Sequence, residues 1–263
     1  MNKIFDYQNF LGKLNESLNP SSHLLSKIDY TLLKPEATEE DIIELCEKAD
    51  ILGVKSVCVL PKMVKVAAEA LEESDVLVCT VISFPHGTDS TEQKLLETKR
   101  CIVDGADEID MVLNYPLLKE AYQAEDGPFI MEEVKEDVER LVDECHNYIN
   151  KDNEQIILKV IVESGLLDED ETFEATNICI EAGADFIKTS TGMVAVGAEL
   201  GKVQIMRKNI QEEGSDMKIK ASGGIRTMGD LQKFDSLVDR FGVGYAAVDS
   251  IFANEESSGV DGY

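Results

Sequence analysis

Two stretches of the chain are versions of one unit. "CIVDGADEIDMVL" (101–113) and "CIEAGADFIKTST" (179–191) each run from a helix end through Gly, Ala and Asp into an apolar strand. "TEEDIIELCEKADILG" (38–53) opens with Thr38 and Asp41 in a capping-box pattern, carries apolar residues at helical spacing and stops at Gly53 before the strand "VKSVCVL". Helices that repeatedly feed β-branched strands leave few folds open, chiefly parallel sheets with right-handed crossovers.

Eight strands are expected: "IDYTLL", "SVCVL", "VLVCTVIS", "EIDMVLN", "IILKVIVE", "DFIKTST", "KIKASGG" and "RFGVGYA". Eight such units within 263 residues predict an α/β fold, a closed (β/α)8 TIM barrel. An open doubly wound sheet is the alternative, but no G-x-G-x-x-G follows the first strands. The expected organisation is an N-terminal helical extension over 1–25, a single barrel domain over 26–253 and a flexible tail over 254–263 ending in Tyr263. In the extension, Phe5, Phe10, Leu11, Leu14 and Leu18 fall at helical spacing, as a cap on the barrel or a contact with a second subunit in a homodimer.

Strand parity then assigns faces. In "EIDMVLN", Ile109, Met111 and Leu113 turn toward the helices, and Asp110, Val112 and Asn114 turn inward. The same alternation turns Lys159 and Glu163 inward, then Lys188 and Ser190, then Lys220 and Ser222. Counting from the helix-ending glycines agrees: Cys58, Asp110 and Lys188 each stand five residues after a glycine, and Lys220 stands six after Gly214. The expectation is one carboxylate and three lysines converging inside a barrel. One inward lysine reads as a buried ion pair, but three beside one aspartate leave unbalanced, desolvated charge. A lysine that loses its proton under like-charge pressure is a nucleophile toward carbonyls and forms a Schiff base.

Seven segments, "IDYTLLKPEAT", "SVCVLP", "SFPHG", "GADEIDMV", "LKVIVESG", "AGADFIKTSTG" and "KASGGIRT", resemble the class I deoxyribose-phosphate aldolases, in order from about residue 25 to 230. The resemblance implies reversible joining of acetaldehyde and glyceraldehyde 3-phosphate into 2-deoxyribose 5-phosphate, without metal or other cofactor. Carried over by motif, it implies Lys188 as the Schiff-base lysine, Lys220 as the second lysine that lowers its pKa, and Asp110 as the acid/base partner acting through water. It also implies Lys159 as a tuning residue, with Asp29, Thr31, Cys58, Thr191 and Gly192 at the substrate. Tyr263 matches the terminal tyrosine that assists proton transfer in some members; a frayed tail is the other reading. For phosphate, "SGGIRT" offers Gly223, Gly224 and Arg226, and the last strand offers Gly242 and Gly244.

Three features depart from the family. Met193 follows "TSTG" where relatives often carry lysine or an aromatic residue, and "GVGY" (242–245) lacks the usual Ser-Ser. The segment after the fourth strand (115–134) is also long, either a tolerated loop or a lid. The alternatives that follow are an aldolase preferring a non-phosphorylated aldehyde, a transaldolase-like lyase, or a non-catalytic barrel that binds sugar phosphate.

Composition narrows the partners. With 52 acidic against 25 basic residues, the net charge of −27 disfavours nucleic acid and anionic membranes. Small sugar phosphates or aldehydes are the expected ligands. Cys46, Cys58, Cys79, Cys101, Cys145 and Cys179 lie in apolar patterns without a Cys-x-x-Cys pair, as expected of reduced core thiols. His23, His86 and His146 show no metal-ligand spacing. The opening "MNKIFDYQNF" lacks a signal peptide's apolar stretch, so a soluble cytoplasmic protein is expected.

Overall fold

The computed structural model describes residues 20–253. It opens with a short helix, α1 (Pro20–Leu25), and then builds a closed barrel in which eight parallel strands neighbour one another in chain order. The strands are β1 (Ile28–Leu32), β2 (Ser56–Val59), β3 (Leu77–Ile82), β4 (Glu108–Val112), β5 (Ile157–Ile161), β6 (Phe186–Lys188), β7 (Lys218–Ser222) and β8 (Arg240–Gly244). Pairing of β1 with β8, Asp29 opposite Gly242, closes the ring. All eight strands fall where the sequence predicts them, each shorter than its quoted segment. Residues 1–19 and 254–263, which include the apolar positions of the N-terminal segment and Tyr263, lie outside the described residues.

The helices between strands are α2 (Glu39–Leu52), α3 (Val64–Ala70), α4 (Thr91–Val103), α5 (Tyr115–Ala121), α6 (Gly127–His146), α7 (Glu169–Glu181), α8 (Leu200–Glu212), α9 (Met228–Phe234) and α10 (Tyr245–Ala253). Helix α2 starts as its sequence demands: Thr38 accepts from the Asp41 amide, and Asp41 accepts in return from Thr38. At its end Gly53 takes a left-handed conformation, φ 64°. Core packing lies between barrel and helices, where Ile109, Met111, Leu158, Val160, Ile187 and Ile219 are fully buried on the outer faces of their strands.

The repeated Gly-Ala-Asp has a physical reason. Gly105 and Gly183 hold φ of 104° and 78°, which side-chain-bearing residues rarely adopt. The aspartate two residues later reaches the strand before its own. Asp107 accepts from the Val78 amide at 2.8 Å, and Asp185 accepts from the Leu158 amide at 2.8 Å. Asp239, ahead of β8, accepts from Ile219 in the same way at 3.0 Å. Each carboxylate satisfies a donor at a strand's start and fixes the register of one strand pair.

The 115–134 segment is helical rather than a loop. Asn114 Oδ1 accepts from the Leu117 amide, Pro116 occupies the first turn of α5, and Pro128 the first turn of α6. Lys119 ties α5 to the Leu166 carbonyl and to Glu171, and the Tyr122 hydroxyl donates to the Asp170 carbonyl. Among the described residues no helix is long and apolar enough to cross a membrane.

Candidate active site

Parity delivers the polar groups to the barrel interior as expected, and register sets their order. Asp110 on β4 stands opposite Lys159 on β5, and Lys188 on β6 stands opposite Lys220 on β7. Their side chains meet at one carboxylate. Asp110 Oδ2 accepts from Lys188 at 2.6 Å and from Lys220 at 2.7 Å, while Oδ1 accepts from Lys159 at 2.9 Å. Asp110, Lys159 and Lys220 are fully buried, and Lys188 retains 4% exposure.

The expected imbalance of three lysines on one carboxylate is corrected by three further groups. Asp29 pairs with Lys220 and, at 2.6 Å, with Arg240. Glu108 accepts from Lys159 at 2.6 Å and takes both terminal nitrogens of Arg240 at 3.1 Å, a two-pronged geometry that suits guanidinium. The interior thus holds Asp29, Glu108 and Asp110 against Lys159, Lys188, Lys220 and Arg240, a surplus of one positive charge if all are ionised. Lys159, Lys220 and Arg240 each touch two or more carboxylates. Among the described residues Lys188 pairs with one carboxylate, Asp110.

The electrostatics follow from this packing. Burial works to raise the Asp110 carboxyl, but the ammoniums of Lys159, Lys188 and Lys220 outweigh it and hold it well below the usual carboxylate range. Burial likewise opposes ionisation of Asp29, and Arg240, Lys220 and Lys159 pull it down. Glu108 is lowered against its burial by Lys159 and Arg240. Lys159 and Lys220 are raised despite desolvation, because Asp110 and other anionic neighbours face them.

Two cysteines join the cluster. Cys58 and Cys79 face each other on β2 and β3. The Cys79 thiol donates to Asp110 Oδ1 at 3.2 Å and lies 3.3 Å from Lys159 Nζ. Burial and its contact with Cys58 raise the Cys79 thiol, whereas the contact with Cys79 lowers Cys58. Ligand atoms of Asp29, Cys79 and Glu108 lie within 4.8 Å of one another, as do those of Cys58, Cys79 and Asp110. The Lys159 ammonium already lies among the first set, 2.6 Å from Glu108 and 3.3 Å from Cys79, so a cation there would have to displace it. All six cysteines are buried and free.

Above the cluster opens a cavity of about 520 Å³. Lys188 forms its floor, with Thr31, Thr191, Gly192, Gly223, Gly224, Arg226, Gly242 and Gly244, all expected at the substrate, around it. Asp29 and Cys58 do not line the cavity; they lie beneath it in the buried network. Gly223 and Gly224 hold φ of 81° and 79°, turning the chain after β7 around the cavity rim. Gly242 serves a different need, since a Cβ there would lie 3.1 Å from Lys220 Cε and 2.9 Å from Ser222 Cβ. Its bareness is what lets the Lys220 stem cross the barrel.

Sequence reasoning missed Glu108, Arg240, Cys79, Lys34 and Tyr245. Parity with Asp110 signals Glu108; position at a strand start signals Arg240. Lys34 lines the cavity from the loop after β1 and Tyr245 from the first residue of α10, where strand parity has no say. Glu163, read as inward, is fully buried with φ 52° and accepts from the Thr191 hydroxyl and amide. Met193 sits on the cavity rim, its amide bonded to Thr191 Oγ1.

The family model described as DeoC/LacD family aldolase matches residues 24–240. A deoxyribose-phosphate aldolase of Clostridium botulinum (strain ATCC 19397 / Type A) is 45% identical over 209 residues, 79% of this chain and 90% of that one. Deoxyribose-phosphate aldolase 1 of Staphylococcus aureus (strain MRSA252) is 45% identical over 206 residues, 78% of this chain and 85% of its own. Among solved structures, the tetrameric deoxyribose phosphate aldolase from Aeropyrum pernix superposes with a TM-score of 0.77 at 29% identity, covering 95% of this chain and 98% of that one. With likeness of that extent in sequence and fold, running from β1 to the start of β8, this chain belongs to the DeoC/LacD family of aldolases and is a carbon–carbon lyase.

Proposed function

We propose that this aldolase works through a Schiff base on Lys188 and cleaves 2-deoxy-D-ribose 5-phosphate reversibly to acetaldehyde and D-glyceraldehyde 3-phosphate. The observation that carries the reading is that Lys188 alone, of four interior cations, opens on the cavity while touching a single carboxylate. The Lys220 ammonium is bonded to the same Asp110 oxygen as Lys188.

In the cleavage direction the neutral Lys188 amine attacks C1 of the open-chain sugar, and the carbinolamine loses water to give an iminium. Asp110, through a water, takes the proton from the C3 hydroxyl. The C2–C3 bond breaks, its electrons pass into the iminium to form an enamine, and glyceraldehyde 3-phosphate departs. Protonation at C2 and hydrolysis release acetaldehyde and restore the lysine. Lys159 and Lys220 fix the position and charge of Asp110 throughout. No step calls for a metal.

The phosphate end of the substrate fits the rim formed by Gly223, Gly224, Arg226 and Lys34, together with the amides that begin α10 at Tyr245. Tyr245 and Met193 at that rim favour a second reading, in which a non-phosphorylated aldehyde is the physiological acceptor.

Borohydride trapping with peptide mass spectrometry tests both, using 2-deoxyribose 5-phosphate and plain 2-deoxyribose in parallel. A reduced adduct on Lys188 at much lower phosphorylated-sugar concentration supports the first reading. Equal labelling by both sugars supports the second. No adduct on a folded protein defeats the Schiff-base assignment.

A further inference from the structure

Beside the substrate cavity lies a second chamber of about 380 Å³, with Tyr30, Ala37, Leu45 and Lys48 in its walls. The two spaces share a partition, because Leu32, Lys34, Glu36 and Tyr245 line both. Lys34 and Tyr245 meet at this partition. Lys34 Nζ donates to the Tyr245 hydroxyl at 3.4 Å and lies 5.4 Å from the ring centroid. Lys34 is exposed, whereas Tyr245 is half-buried, with one side packed against the core.

The chamber's walls say what it would accept. Its charged groups are Lys34 and Lys48 against Glu36, Asp41 and Glu44, an excess of carboxylate that disfavours an anion. Two of those carboxylates are already engaged, Asp41 by the Thr38 amide and hydroxyl, and Glu44 by Lys48 at 2.8 Å. The Tyr30 hydroxyl is spent on Asp249 at 2.6 Å. Leu32, Ala37 and Leu45 supply apolar wall between those charges, so the lining is mixed. A neutral chain fits this mixed surface, and a second phosphate does not.

We propose that the chamber is an extension of the acceptor site, and that Tyr245 with Lys34 sets the length of neutral aldehyde that the enzyme joins to acetaldehyde. An acceptor whose carbonyl lies at the Lys188 enamine would pass its distal carbons across the partition. The proposal rests on the Schiff-base reading of Lys188 and adds no chemical step to it.

The test uses the full chain with acetaldehyde as donor and propanal, butanal, hexanal and octanal as acceptors, read as kcat/KM. The wild type is expected to lose at least about tenfold between butanal and hexanal, since a wall rejects extra methylenes. Tyr245→Ala opens the partition and abolishes that step, and Ala37→Leu in the same chain, which fills the chamber without touching the substrate cavity, restores it. Tyr245→Phe keeps the ring, breaks the Lys34 hydrogen bond and gives an intermediate profile. A folded Tyr245→Ala enzyme with the wild-type length profile overturns the proposal. So does a Tyr245→Ala gain that Ala37→Leu fails to reverse. Trapping acetaldehyde on the wild-type protein separates the two failures: with a Lys188 adduct only the chamber falls, and without one the Schiff-base reading falls and takes the chamber with it.

Discussion

Lys188 and Lys220 stand opposite each other on β6 and β7 and donate to the same oxygen, Asp110 Oδ2, at 2.6 and 2.7 Å. Two ammoniums on one acceptor atom, in a site holding four cations and three carboxylates, make their common acceptor and the surplus cation respond differently to removal. Asp110→Asn leaves Lys159 and Lys220 short of a counter-charge at full burial and should cost about 3–5 kcal/mol. Lys188→Met removes the surplus charge and should leave stability near the wild type. Both should lose activity by at least about a hundredfold. Urea unfolding followed beside turnover checks the contrast; equal destabilisation would refute it.

Gly242→Ala tests the path of the Lys220 stem. The added methyl would meet Lys220 Cε at 3.1 Å and Ser222 Cβ at 2.9 Å, so the lysine must move. A displacement near 1 Å in a proton-transfer site can cost about a hundredfold in kcat. The expected result is a large loss of kcat with a modest change in thermal midpoint.

Cys79 is a positioning residue within reach of mutation. Cys79→Ala removes the thiol that donates to Asp110 Oδ1 and neighbours Lys159. Loss of one hydrogen bond to a charged acceptor, worth about 1.5–3 kcal/mol, should lower kcat by about tenfold or more and move its pH profile. Cys79→Ser, which restores a donor, should recover both. A pH profile unmoved in Cys79→Ala would leave the thiol a packing role only.

Acid should unfold the protein through its interior. Asp29, Glu108 and Asp110 are all depressed in the folded state. Their contribution is therefore complete above the unfolded range near pH 4 and drains away as pH falls below it toward the folded values, at about 1.4 kcal/mol per pH unit for each proton taken up. Glu108→Gln deletes one of these titrations, so its stability, though lower at neutral pH, should fall less steeply between about pH 5 and 3. Urea midpoints across that range measure the slope.

The barrel, its strand order and the inward lysines were legible because they depend on period and parity, which the chain carries locally. The network's lower tier was not. Glu108 opens the strand "EIDMVLN" on the same face as Asp110, but nothing nearby in sequence announces that its partners are Lys159 and Arg240. Arg240 follows two residues after Val238 at a strand start, and nothing nearby in sequence announces that its partners are Asp29 and Glu108. The same limit hid α5: Tyr115-Pro116 reads as a loop until Asn114 is seen to cap the helix. Lys34, in the loop after β1, and Tyr245, at the start of α10, meet across 211 positions.

The bond between Asp29 and Arg240 also spans 211 positions, from the first strand to the last. A ribosome delivers Asp29 long before Arg240, so throughout most of synthesis the emerging chain has acids and lysines for its interior but no guanidinium to pin them and no partner for the outer edge of β1. Closure of the ring and completion of the charge network both wait for β8 to be made. Folding governed by contacts so distant in sequence is slow relative to helical proteins. An enzyme built this way cannot complete the charge network around its interior lysines until Arg240 has been made.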